Sequence, residues 1–404
     1  MSNLRTPLCL LIVMLFSLLP PTGTYAQDDG TAYRAETTRW RSAENAFAGW
    51  QRGGISLAAG GVLQLDPAKS SGVTERYGPG RYRRVSPLVG EATGPVVTTA
   101  FPFSEAVPSW NAVTPGGTWV EVTLRALTAS GWTPWYNLGV WASDPDADMR
   151  HSVEGQADAS AYVDVDTLKI GERGKPGTAT AYQLKFRLLS KSREALPSVT
   201  NAAVVVSTSP RVPVSLAPGN PARWGKVLPV PECSQMVYPD GGEVWCSPTS
   251  VAMLLGYWSG KSGPCEPGVR SAVSGVYDPV YEGHGNWPFN AAYAATQGME
   301  AYVTRFTGLA QAEEWIAAGV PVIMSYSWGR NQLTGAPIPA SNGHLAVLVG
   351  FDAQGNPIVN DPAAASNDAV QRTYPRAELE KLWLQGSGGT VYVIYPAGRT
   401  VPKF

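Results

Sequence analysis

Residues 231–258 read PECSQMVYPDGGEVWCSPTSVAMLLGYW. Two kinds of local pattern meet in this stretch. Its first part is a run of turn formers, Pro239, Asp240, Gly241 and Gly242, whereas its second part places Val251, Leu254, Leu255 and Trp258 at helical spacing behind Pro248, a residue suited to a first turn. Cys246 stands directly before that helix, where unpaired backbone N–H groups and the positive end of the helix dipole favour a thiolate. A cysteine so placed is a nucleophile when a base lies beside its sulfur; otherwise it is a small buried apolar residue or half of a disulfide.

The base should be a histidine, and the chain has three: His151, His284 and His344. His151 falls in the other half, and His284 sits in the turn-rich run YEGHGNW, where a solvated loop histidine is expected. His344 opens the strand-like run HLAVLVGF, and Asp361 closes the next one, PIVND. If Asp352 to Gly355 form a four-residue hairpin loop, Asp361 falls opposite Ala346, diagonal to His344 on the same face, with backbones roughly 7–8 Å apart. A loop of three or five residues inverts the parity and sends the two side chains to opposite faces. Asp361 is otherwise a turn residue before Pro362. Acyl transfer also needs donors to an oxyanion, for which the Cys246 backbone N–H and the Gln235 side chain are available.

Outward from this segment, helices are predicted at 288–297 and 309–318, each ended by a glycine, and at AELEKLWL. Strands are predicted at PVIMSYS, HLAVLVGF, PIVND and TVYVIYP, so residues 229–404 read as an α+β domain. Residues 27–208 follow a period of two. In TWVEVTLRAL, Val120, Val122 and Leu124 face one way and Glu121, Thr123 and Arg125 the other, and AYQLKFRLL repeats the pattern. A multi-domain chain follows, with an all-β sandwich or jelly roll of half-buried antiparallel strands, a possible binding module, placed first. The proline-rich residues 209–228 read as a stiff linker.

The balance of 31 Lys and Arg against 32 Asp and Glu gives a net charge of −1 over 404 residues, without the positive field that nucleic-acid binding requires. Forty-three glycines, 34 prolines and 14 tryptophans suit a loop-rich and strand-rich fold and disfavour a helical bundle. At the start, Arg5, the apolar run LCLLIVMLFSLL and the small-residue end Thr24-Tyr25-Ala26 read as a signal peptide, 1–26. Twelve apolar residues fall short of the roughly twenty that span a bilayer, so a secreted or extracytoplasmic product without a membrane anchor is expected. Export leaves Cys233, Cys246 and Cys265, an odd number where thiols pair. A Cys233–Cys265 bridge with Cys246 free is expected, because Cys246 alone sits at a helix start. No His-x-x-x-His and no zinc-like cysteine spacing occurs, so no metal or cofactor is expected. Arg81, Arg83 and Arg84 read as a solvated basic cluster.

Taken together, VPECSQ, WCSPTSVAMLLGYW, GHLAVLVGFD and IVNDP resemble the papain-like cysteine peptidases, in the branch that includes the double-glycine leader peptidases of bacteriocin exporters. There a glutamine precedes a cysteine that opens a helix, a histidine opens a later strand and an aspartate follows on the next. The likeness covers about residues 229–396. It implies Cys246 as nucleophile, His344 as general base and acid, Asp361 as orienter and Gln235 as oxyanion donor, acting on a peptide or protein substrate. Two departures stand out: the usual Cys-Gly-Pro is Cys246-Ser247-Pro248, and the interval from Gln235 to Cys246 is longer. The transporter and ATPase segments of the exporters are absent, so leader processing at a membrane does not carry over. The first half looks similar to β-sandwich regions of secreted bacterial members.

Two other readings use the same residues. One keeps the thiol and changes the acceptor: an amidase or transpeptidase on cell-wall peptides, or a transglutaminase-like acyltransferase. The other is a non-catalytic glycan-binding or adhesion protein, with Trp40, Trp50, Trp110, Trp119, Trp132, Trp135 and Trp141 stacking on sugars. Trp245 and Trp287 are candidate walls of the cleft, although tryptophans in such positions are more often core.

Overall fold

The computed structural model describes residues 33–72, 86–144, 149–209, 217–260 and 263–403. The expected signal peptide 1–26 and the cluster Arg81, Arg83 and Arg84 lie outside the described residues.

The first half is built from two antiparallel sheets. One is centred on the strands Glu105–Val113 and Ser198–Ser207, the other on Thr118–Thr128 and Ala179–Ser190. The inward residues Val120, Val122 and Leu124 join Leu184, Phe186 and Leu188 in the core, as the alternation predicts. The opposite face is not solvated, however. Glu121 is only 2% exposed, and Arg187 lies between Glu121 on one neighbouring strand and Glu91 on the other, each its direct cross-strand partner. Charges that would have lined a wet face are buried as mutually paired neighbours.

The strand Ser198–Ser207 is buried on both faces because it is sandwiched a second time. Its sheet packs against the strand Met299–Arg305, the outermost strand of the second half. The contact is polar and specific. The Ala301 and Val303 backbone N–H groups donate to Asn111 Oδ1 at 3.2 Å and Ser109 Oγ at 3.0 Å, and Asn111 Nδ2 returns a bond to Ala301 O at 2.6 Å. Arg305 reaches both Glu105 and Ser207 at 2.6 Å, and Arg41 pairs with Glu300 at 2.7 Å.

In the second half, a sheet of wholly antiparallel strands runs in the order Met299–Arg305, Thr390–Pro396, Val322–Trp328, Ser341–Phe351, Pro357–Asn360, Gln371–Thr373. Helices α1 (Cys246–Ser259), α3 (Trp287–Thr296), α4 (Leu309–Ala317) and α5 (Arg376–Ser387) lie where the periodicity puts them. Helix α2 (Glu266–Val276) was not expected, since Pro267, Gly268 and Gly275 weaken its propensity. Gly275 is needed for packing: a Cβ there would meet the Tyr293 ring of α3 at 2.2 Å.

The expected linker 209–228 is not free over the described residues 217–228. Trp224 Nε1 donates to Glu313 at 2.8 Å, and Lys226–Val227 pair with Gly350 and Phe351 at the end of the Ser341–Phe351 strand. Aromatic anchoring and strand pairing override the proline content, and this segment belongs to the second sheet.

Candidate active site

Cys246 is the first residue of α1, and no side chain caps that helix, so the thiol sits at the positive end of its dipole. The helix is fixed to the sheet by two hydroxyls. Ser250 Oγ donates to Leu345 O at 3.1 Å, on the strand that carries His344, and Ser247 Oγ lies 3.0 Å from Tyr392 Oη. The Cys233–Cys265 disulfide forms, with a Cα–Cα distance of 5.7 Å, and Cys246 remains a free, half-buried thiol.

His344 is buried, with Nε2 2.8 Å from Asp361 Oδ1, and the Cys246 side chain is near enough to act electrostatically on its ring. Nε2 therefore donates to the carboxylate, and Nδ1 is the ring nitrogen left for the thiol. The faces of Tyr326 and Trp328 stand against the imidazole at 5.5 and 5.3 Å in edge contacts and exclude water from it. Asp361 is fully buried and saturated: besides His344 it accepts from Ala363 N at 2.9 Å, Tyr374 Oη at 2.7 Å and Tyr326 Oη at 3.2 Å. Burial opposes the charge on both members of this pair. Their mutual attraction outweighs it, holding Asp361 below the usual carboxylate range and, with help from Cys246, lifting His344 to about 10. Burial and then the Asp361 charge push the Tyr326 hydroxyl well above its ordinary value, so it acts as a donor.

The register that joins His344 to Asp361 differs from the expected one in its parts. The loop 352–356 has five residues, which alone would put the side chains on opposite faces. A bulge at Val349 shifts the pairing by one, so that Val347 faces Asn360 and the parity is restored. The bulge lies where Lys226–Val227 pass, and Gly350 is required there, because a Cβ would meet Lys226 O at 2.3 Å.

Gln235 is buried and lines the same cleft as the thiol. Its backbone N–H donates to Pro362 O at 2.8 Å, which ties it to the residue after Asp361, and its Nε2 donates to Gly242 O at 2.8 Å. The long interval to Cys246 is thus a compact coil. Tyr238 N–H donates to Gln235 O, Gly242 N–H to Tyr238 O and Trp245 N–H to Gly242 O.

His284 corrects the expectation of a solvated loop residue. It is half-buried in the cleft wall, between Tyr277 at 5.1 Å and Trp245 at 6.3 Å, and burial pushes its imidazole down to about 4. Trp245 is core, whereas Trp287 lines the cleft. His151 is buried in the first half, away from the cleft lining. The sequence reading missed Tyr326, Tyr374 and Trp328. Tyr326 faces His344 directly in the strand register, but the connection 329–340 that sets this register has no regular pattern.

Residues 36–207 match the family of the Peptidase C39 N-terminal domain, and residues 227–391 match the Peptidase C39-like family. The chain belongs to the C39-like cysteine peptidases. Both halves of this chain are thus matched by family domains of their own. No curated protein matches the chain. Among solved structures, the enzymatically active domain of Bacteriophage CBA120 tailspike protein 4 aligns at 11% identity with a TM-score of 0.16, over 44% of this chain and 19% of that one.

Proposed function

We propose that the chain is a secreted, papain-like cysteine peptidase that hydrolyses peptide bonds through Cys246, His344, Asp361 and Gln235. The observation that carries this reading is the imidazole bound to a buried carboxylate in the same cleft as a free thiol at a helix start.

In the proposed reaction the Cys246 thiolate attacks the acyl carbon, and the imidazolium of His344 protonates the departing amine. Water, deprotonated by the now neutral ring, adds to the thioester; its collapse releases the acid and regenerates the thiol. Asp361 holds the ring with its Nε2 proton inward throughout. The oxyanion is stabilised by the Cys246 N–H and by Gln235, whose amide nitrogen carries a second hydrogen beyond the one given to Gly242 O.

Export is supported by the disulfide, which favours an oxidising compartment. Among the described residues no helix is long and apolar enough to cross a membrane. Five of the seven tryptophans that a glycan binder would use are buried, leaving Trp132 and Trp135 accessible.

The test is hydrolysis of a denatured protein by the wild type, Cys246→Ala and His344→Ala. Each substitution is expected to lower the rate by about a thousandfold or more. Full turnover in His344→Ala would remove that residue from the mechanism, and full turnover in Cys246→Ala would end the thiol reading.

A further inference from the structure

The cleft that holds Cys246 encloses about 1100 Å³, and one of its walls comes from the first half of the chain. Strands Ala161–Asp164 and Thr167–Glu172 form a hairpin in which Asp164 pairs with Thr167, so the turn consists of Val165 and Asp166 alone. Val165 has φ 57°, a left-handed conformation that a β-branched residue adopts at a cost. The strain is held by Asp166. This buried carboxylate accepts from Thr167 Oγ1 at 3.0 Å and, across the two halves, from the Trp287 backbone N–H at 2.7 Å, at the first turn of α3.

Tyr162, Asp164, Val165, Asp166 and Thr167 face the same space as Cys246. Tyr281 lines this space together with Cys246 and the hairpin. Part of the rim is apolar: Met236, Val244 and Tyr281 are 43, 59 and 44% exposed and all border the cleft, beside the exposed carboxylates of Glu243 and Glu282. Large apolar side chains kept in water around one opening mark a binding surface. The volume stands at the upper end of the roughly 300–1000 Å³ of small-molecule sites, room for a segment longer than a short amide.

Resting on the peptidase reading, we infer that the 161–172 hairpin is a substrate-binding wall. The substrate is an extended polypeptide with apolar side chains near the scissile bond, lying between this hairpin and the rim of Met236, Val244 and Tyr281. Asp166 is a positioning residue that fixes the wall to α3, and the first half of the chain is thereby part of the substrate site.

The test is the affinity of heat-denatured casein for the full chain carrying Cys246→Ala, alone and combined with Asp166→Ala, Asp166→Asn or Val165→Gly. Asp166→Ala removes the acceptor for Trp287 and is expected to weaken binding about tenfold. Asp166→Asn keeps an acceptor oxygen and should restore affinity to within about twofold. Glycine accepts the left-handed turn, so Val165→Gly should remain folded and weaken binding about threefold through the lost side chain alone. Iodoacetamide, too small to need the wall, should alkylate Cys246 at the wild-type rate in the single variants Asp166→Ala and Val165→Gly. Unchanged casein affinity in the Val165→Gly chain, or equal losses in Asp166→Ala and Asp166→Asn, would overturn the proposal. A wild type that binds casein in this pattern without cleaving it would overturn the peptidase reading and leave the wall standing.

Discussion

His344 Nε2 and Asp361 Oδ1 meet at 2.8 Å across a hairpin whose five-residue loop, taken alone, would hold them on opposite faces. The single-residue bulge at Val349 reverses that parity, and Gly350 makes room for it beneath Lys226. Gly350→Ala should therefore disturb both the pass of Lys226–Val227 and the register behind the site. A loss of about 1–3 kcal/mol in urea unfolding, with a matching fall in turnover, is expected. Wild-type stability and turnover together would show that the bulge does not govern the site.

Replacing Asp361 with Asn keeps its size and removes the charge that, against burial, does most to raise His344 to about 10. The sign is fixed by linkage: a histidine raised above its unfolded value of about 6.5 adds stability in full below that pH, and the gain disappears as pH rises to the folded value. Wild-type stability should thus carry a component lost between about pH 6.5 and 10, and turnover should fall as His344 deprotonates near 10. In Asp361→Asn both features should move to lower pH. Matched denaturation and rate profiles would reveal it, and an unmoved alkaline limb would assign that limb to another group.

Gly242 is closed to any side chain, because a Cβ would lie 2.0 Å from Gln235 O. Gly242→Ala should push Gln235 away from the thiol and lower kcat by about 100-fold, the scale of one lost oxyanion donor, while KM changes little. A loss confined to KM would argue that Gln235 binds substrate and leaves the oxyanion to other donors.

Under non-reducing conditions one thiol, Cys246, should alkylate, as mass spectrometry of the chain from residue 27 onward would read. Joint replacement of Cys233 and Cys265 by alanine should cost about 3–4 kcal/mol of unfolding free energy, the scale for a loop of this length. Labelling at Cys233 in the intact chain would contradict the bridge.

Much of this site was readable from local pattern. Cys246 before a proline-started helix and His344 at a strand start depend on neighbours a few residues away, and so does α3, ended by a glycine. The half-buried face of Thr118–Thr128 was misjudged, because alternation cannot tell a wet polar face from one where Arg187 and Glu121 bury each other. The contacts that complete the site come from far along the chain. Tyr326 and Tyr374 reach Asp361 through strand order, and Asp166 reaches Trp287 across the two halves. None of these leaves a periodic trace. The His344–Asp361 pair was anticipated through the wrong loop length, and an unforeseen bulge supplied the compensating residue.

The bonds from Asn111 and Ser109 to Ala301 and Val303 also bear on how the molecule can be processed. Cut away the first half, and the Met299–Arg305 strand would offer an open ladder of donors and acceptors to any passing chain, inviting self-association. Removal of the residues before 208, as with an inhibitory propeptide, would uncover that edge, so the two halves are expected to stay together.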